Sequence, residues 1–241
     1  MVKLINLGCG KKAHADWINI DASISISIAR NPLLKFLLTH TGFLRGERLR
    51  QINDLPSSII KHDLSKGIPF PNNSFDMAYH SHVLEHIDRD TAPDFILECF
   101  RVLKPGGILR VAVPDLERLC REYLAALANP VNAIQYDKAV HALLEQMVRR
   151  ESHGTSQQKW LRRKIENWLL GDARSRGETH QWMYDRVSLP ILLEECGFVE
   201  ASVTDYRSSM LPNWSVYGLE LNEAGGEYKT DSLYVEARKP L

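Results

Sequence analysis

Hydrophobic and polar positions divide the chain into short apolar runs separated by amphipathic stretches. The runs fall at Leu4 to Leu7, Trp17 to Asp21, Ser58 to Leu64, Phe75 to Ser81 and Ile108 to Val113, lengths that suit strands. Before the last of them, Phe95, Ile96, Cys99, Phe100 and Leu103 recur at helical spacing. This predicts a helix over Asp88 to Leu103, capped by Asp88 or Asp90 and stopped by Lys104-Pro105-Gly106-Gly107. Ile108 to Val113 reads as a strand buried on both faces of a parallel sheet. Another helix begins at Leu116, and Val199 to Tyr206 and Ser232 to Ala237 supply two final strands. Strand and helix alternate, so the expectation is an α/β fold with a seven-stranded, mostly parallel sheet and helices on both faces. No linker rich in Pro or Gly divides the 241 residues, which predicts one domain over 1–241 with helical insertions at about 22–56 and 129–179.

The first run breaks into Gly8-Cys9-Gly10, and the second ends on Asp21. Glycines without a Cβ let the backbone turn sharply and approach a ligand, and a carboxylate at the tip of the next strand is placed to accept hydrogen bonds from a ribose diol. An adenosine-containing cofactor is implied. Gly8 to Ala13 also satisfies the dinucleotide pattern G-x-G-x-x-A, but only Lys11 to Asp16 separate the turn from the second strand. That is too short for the usual crossover helix, whose N-terminus a pyrophosphate needs. S-adenosyl-L-methionine carries no phosphate. Both the short connection and the early acid favour it over NAD.

The chain resembles class I S-adenosylmethionine-dependent methyltransferases of the type 11 group. The resemblance rests on Asn6-Leu7-Gly8-Cys9-Gly10, Asp21, His62-Asp63-Leu64, Ile68 to Asp76, Ser81-His82-Val83-Leu84-Glu85-His86 and Arg101 to Gly107, in this order, over residues 3 to about 116. A weaker match resumes from Trp182 to Phe198. It implies a Rossmann-like sheet whose final strand runs antiparallel. It also implies the methionine moiety over Gly8, Cys9 and Gly10, the ribose hydroxyls on Asp21, the adenine beside Asp63 and Leu64, and Ser81 and His82 lining the pocket. Asn6 stands among the cofactor residues where the family often has an acid, and the family's helix after the glycines is missing.

For a hydroxyl acceptor, methyl transfer needs a base near the carboxyl edge of the sheet. His82 after the fourth strand, Asp115 after the fifth, and His180 in the loop before the last core helix are the candidates. Each has a plainer alternative: a histidine can be a structural hydrogen-bonding residue, and Asp115 can cap the helix from Leu116. His180 lies outside the cofactor motifs, next to Trp182 and Tyr184, and is the first choice. His82-Val83-Leu84-Glu85-His86 also spells the inverted zinc-protease pattern H-x-x-E-H. It directly follows a strand and brings no third ligand, so no metal is expected. Glu85 and His86 read as groups that hold the start of the next element.

Thirty Lys and Arg balance thirty Asp and Glu, which excludes the global basic field of a general nucleic-acid binder. The four cysteines show no C-x-x-C spacing, and a first strand at residue 3 leaves no room for a leader. A soluble, cytoplasmic protein without a membrane span is expected. The 22–56 insertion is apolar and basic together. It reads either as a lid or surface for an acidic or lipid-linked substrate, with peripheral membrane contact left open, or as a helical hairpin packed on the domain. The 129–179 insertion, with Lys159 to Lys164, is a candidate substrate cover or an exposed helix face. The expected activity is O-methylation of a small-molecule or glycan-type acceptor, with N-methylation open. Alternatives are a non-catalytic scaffold that binds S-adenosylmethionine and an NAD-dependent enzyme. Oligomeric state is not legible.

Overall fold

The computed structural model describes residues 2–128, 133–147 and 180–241. Its seven strands are β1 (Leu4–Leu7), β2 (Trp17–Asp21), β3 (Ile60–Lys61), β4 (Phe75–Ser81), β5 (Leu103–Pro114), β6 (Val199–Thr204) and β7 (Ser232–Arg238). They form one sheet in the order β3-β2-β1-β4-β5-β7-β6. The first five pair in parallel, and β7 lies antiparallel between β5 and β6. The direction of winding changes between β1 and β4, so a crevice opens beyond the carboxyl ends of those strands.

Alternation along the strands sorts the sheet into two faces. Ile5, Leu7, Ile20, Ala78, Leu109, Val111 and Val113 meet α4 (Ala92–Val102) and α7 (Ser188–Glu195) in one cluster. On the opposite face Leu4, Trp17, Met77, Tyr79 and Ile108 pack on Leu211, Trp214 and Leu219 from the segment between β6 and β7. Arg110 also belongs to that second face. It is fully buried in the middle of β5, where it interrupts the apolar run from Ile108 to Val113.

No helix joins β1 to β2, as the short connection requires. Two buried asparagines satisfy the turn instead. The Asn6 amide donates to the Lys12 carbonyl at 2.8 Å, and the Asn19 amide donates to the His14 and Trp17 carbonyls, both at 2.8 Å. The 22–56 insertion forms three short helices, α1 (Ile24–Arg30), α2 (Pro32–His40) and α3 (Gly46–Asn53), rather than a hairpin. Asn31, whose side chain accepts the Leu34 N–H, and Pro32 at the first helical position divide α1 from α2.

Three boundaries differ from expectation. β3 is only two residues long, because it is an edge strand and Asp63 turns the chain by accepting the Ser65 N–H. α4 starts at Ala92 because Asp88 first closes a turn, its carbonyl accepting the N–H of Thr91 and of Ala92. β5 runs back through Lys104-Pro105-Gly106-Gly107 to Leu103, since Gly106 and Gly107 exchange backbone hydrogen bonds with Lys239. α5 (Leu116–Ala128) and α6 (Ala133–Met147) follow β5. The rest of the 129–179 insertion, including Lys159 to Lys164, lies outside the described residues. Among those described, no helix is long and apolar enough to cross a membrane.

Candidate functional site

Two cavities open at the carboxyl edge of the sheet and meet at Gly8 and His82. The larger, about 650 Å³, runs from Asp21 past Asp63 and Leu64 to Val83 and Phe95. The smaller, about 250 Å³, is bounded by Asn6, Cys9, Gly10, Tyr79 and Ser81 on one side and by Leu219, Tyr228 and Lys229 on the other.

The glycine turn builds the passage between them. Gly8 has φ +70°, and a Cβ there would stand 2.4 Å from Val83 Cγ2, so only glycine lets the turn close against the chain after β4. The N–H groups of Gly8 and Cys9 donate to the Ile20 carbonyl, which ties the turn to the tip of β2. There the Asp21 carboxylate accepts the Gly10 N–H at 2.8 Å and the Ser23 N–H at 2.7 Å. Each of its oxygens is thereby oriented and retains acceptor capacity toward the cavity. Asp63 is held below the usual carboxylate range by hydrogen bonds from Ser65. The Cys9 thiol is buried, and that burial, with the Asp21 charge beside it, pushes it up to about 12. Cys9 is thus a packing residue rather than a nucleophile.

His82 occupies the junction with φ +55°, a backbone region that costs a non-glycine residue and recurs at functional sites. Its Nδ1 lies 3.0 Å from Glu85 Oε1 and its Nε2 lies 2.9 Å from Ser232 Oγ. Ser232 Oγ also lies 2.8 Å from the Lys229 carbonyl, so its single proton goes either to that carbonyl or to Nε2, according to the tautomer of His82. Glu85 is fully buried in the 3-10 turn after β4, and His86 and His180 approach the same oxygen at 3.9 and 4.0 Å. Burial pushes the Glu85 carboxyl up, but the hydrogen bond and charge of His82, with His86, outweigh it and keep the group below the carboxylate range.

His180 reaches this turn because the N–H of Gln181 and of Trp182 both donate to the Glu85 carbonyl. Two of the three candidate bases therefore converge on one carboxylate, but only His82 lines the cavities. Asp115 does not join them. Its carboxylate accepts the Arg118 N–H at 3.2 Å and its carbonyl accepts the Leu119 N–H, which makes it the cap of α5. Glu85, His86 and His180 offer donor atoms spread over 4.8 Å. The two histidine nitrogens stand 3.9 and 4.0 Å from Glu85 Oε1, beyond hydrogen-bond distance, so the fold assembles a set of potential metal ligands whose third member, His180, the H-x-x-E-H pattern did not announce.

Sequence reasoning missed Leu219, Tyr228 and Lys229. They reach the cavity only because the segment before β7 folds back over the glycine turn, where Lys12 Nζ donates to the Leu221 carbonyl and lies over the Tyr228 ring. Burial lowers the Lys229 ammonium, against the pull of the Glu85 charge. No local pattern announces such a return.

Residues 5–111 match the family model described as a methyltransferase domain. That match covers every strand from β1 to the middle of β5 and the glycine turn, Asp21 and His82 with them. Over these residues, a little under half of the chain, the protein is similar to methyltransferase domains. A curated relative from Mycolicibacterium smegmatis, described as "Probable S-adenosylmethionine-dependent methyltransferase", is 40% identical over 60 residues, 25% of this chain and 23% of the relative. The matched stretch thus spans under a quarter of that relative's length. Among solved structures, a SAM-dependent methyltransferase from Thermotoga maritima aligns with TM-score 0.47 and 16% identity over 99% of this chain and 82% of the other. One from Mesorhizobium loti aligns with TM-score 0.44 and 16% identity, over 99% and 91%.

Proposed function

We propose that this protein transfers a methyl group from S-adenosyl-L-methionine to a hydroxyl of a small-molecule or glycan-type acceptor. The observation that carries the proposal is the meeting of the two cavities at His82, with Glu85 behind the ring and Ser232 before it. The larger cavity suits an adenosine: it is mostly apolar in the middle, with Asp21 at the end where a ribose diol needs acceptors. Gly8, Cys9 and Gly10, with Asn6 behind them and Ser81 opposite, would take the amino-acid end. Asp63 and Leu64 would flank the base.

When bound, the cofactor supplies an electrophilic methyl on a sulfonium sulfur. The chain's part is to align the acceptor oxygen and take its proton. Neutral His82, with its one ring proton on Nδ1 toward Glu85, receives the acceptor's proton at Nε2 once the Ser232 hydroxyl turns away, and the buried Glu85 carboxylate stabilises the resulting imidazolium through Nδ1–H. His180 is the second candidate for this role, acting against the same carboxylate. Asp115 is the third, and its capping bonds weigh against it.

The test is to incubate the protein with S-adenosylmethionine and matched panels of hydroxyl and amine acceptors. Release of S-adenosylhomocysteine should follow hydroxyl acceptors, with the methyl located on oxygen by mass spectrometry. Calorimetric titration should show binding of S-adenosylhomocysteine and none of NAD. Methyl on nitrogen alone, or a folded protein that ignores S-adenosylhomocysteine, would overturn the reading.

A further inference from the structure

The three helices between β2 and β3 are not used by this reaction. α2 is apolar apart from Lys35, Thr39 and His40, and has no buried residue. Leu34 and Leu38 turn inward onto Ile28, Leu44 and Ile52. Leu33, Phe36 and Leu37, at positions i, i+3 and i+4, turn outward and are 68, 61 and 50% exposed, and Phe43 just beyond the helix is 51% exposed. Side chains of this size are normally exposed singly, and grouping them marks a surface that meets something apolar. Charge identifies the partner. Residues 22–53 carry five cations, Arg30, Lys35, Arg45, Arg48 and Arg50, against the single acid Glu47, a net +4 in a chain whose overall balance is zero. Arg45, Arg48 and Arg50, at the start of α3 and within it, are exposed. Outward leucine and phenylalanine flanked by arginine is the pattern of a helix lying in the interface of an anionic bilayer.

The patch is also joined to the site. Asp21 and Ala22 line the larger cavity, and α1 starts two residues later. We propose that α2 and the turn after it, flanked by the cations of α1 and α3, dock on an anionic lipid surface and bring the cavity to a lipid-linked acceptor. The acceptor half of this proposal rests on the methyltransferase reading, whereas the docking half does not.

The experiment is co-sedimentation of the full chain with vesicles of phosphatidylcholine alone and of phosphatidylcholine with one part in four phosphatidylglycerol. Binding should appear on the anionic vesicles, weaken with salt, and fall by about fivefold for each positive charge removed. Arg48→Glu, which changes the charge by two, should therefore cost about twenty-five-fold. Phe36→Asp with Leu37→Asp should abolish binding while S-adenosylhomocysteine affinity stays as in the parent. Equal partition onto neutral and anionic vesicles, or no partition, overturns the proposal. So does light scattering that shows a dimer broken by the same double variant without vesicle binding, because a second copy would then be the occupant. Vesicle binding by a protein that ignores S-adenosylhomocysteine would leave the docking half intact and refute the methyltransferase reading together with the acceptor half that rests on it.

Discussion

Replacing Asp21 by alanine separates a ribose contact from a merely structural carboxylate. In the structure the two oxygens of Asp21 hold the Gly10 and Ser23 N–H groups at 2.8 and 2.7 Å, both at exposed positions. Water can satisfy those donors when the carboxylate is lost, so the stability cost should stay below about 1 kcal/mol. The ribose hydroxyls are different, because they would lose charged acceptors inside the cavity, where a hydrogen bond to an ion contributes roughly 1.5 to 3 kcal/mol. The dissociation constant for S-adenosylhomocysteine should rise by about 10- to 150-fold. Asp21→Asn, which keeps one acceptor oxygen, should fall between. Calorimetric titration reads the affinity, and a thermal melt of the same samples reports whether the fold survives. An unchanged dissociation constant in folded Asp21→Ala would refute the assignment of Asp21 to the ribose.

The remaining expectations concern the base, metal and pH. His82→Ala should lower turnover on a hydroxyl acceptor by about a hundredfold or more, and His180→Ala should cost less, because only His82 lines both cavities; the reverse order, measured as S-adenosylhomocysteine release, would return the role to His180. Transfer should survive chelator treatment and the purified protein should hold no stoichiometric zinc; one metal per chain by elemental analysis, with activity lost on its removal, would revive the H-x-x-E-H reading. Burial, partly offset by Arg110, pushes Glu220 up to about 7, while burial, partly offset by Glu85, pushes His80 down to about 4. A raised carboxyl contributes stability that is lost as pH rises from its ordinary value through about 7, and a depressed histidine contributes stability that is lost as pH falls from its ordinary value through about 4. Between their ordinary values the two slopes oppose, so the melting temperature should vary little there. Glu220→Gln should uncover a rise with pH, and a melting profile parallel to that of the parent would count against the Glu220 shift.

What was legible in the sequence is what local chemistry encodes. Gly8, Gly10 and Asp21 announce themselves because a tight turn and a strand tip require those residue types wherever they occur. The absence of a helix between β1 and β2 follows from counting six residues. The edge position that cuts β3 to two residues is a property of the sheet and not of Ser58 to Leu64. The same holds for β5, whose extension through Gly106 and Gly107 exists only because Lys239 returns to pair with them. His82 and His180 could each be named as a candidate, but their shared dependence on Glu85 joins residues far apart in sequence. Lys229 and Tyr228 were invisible for the same reason.

Arg110 shows how far such a distant term reaches into the site. It interrupts an apolar strand, and all five of its N–H donors have acceptors: Glu220 twice, Glu236, and the carbonyls of Asp205 and Ser208. Its guanidinium also lies 4.5 Å from the centre of the Trp214 ring. Three of those partners, with Trp214, belong to the segment between β6 and β7. Apolar side chains in place of the whole cluster of Arg110, Glu220 and Glu236 could fill the space without loss of stability, whereas removing Arg110 alone would leave two buried carboxylates unpaired. The guanidinium accepts only one placement of Asp205, Ser208 and Glu220. Leu219 adjoins Glu220, and Lys12 fixes the carbonyl of Leu221 from the other side at 2.5 Å. The wall that faces His82 is therefore held in register by a buried charge on the far face of the sheet and by a lysine from the glycine turn, so the smaller cavity has its shape before any acceptor arrives.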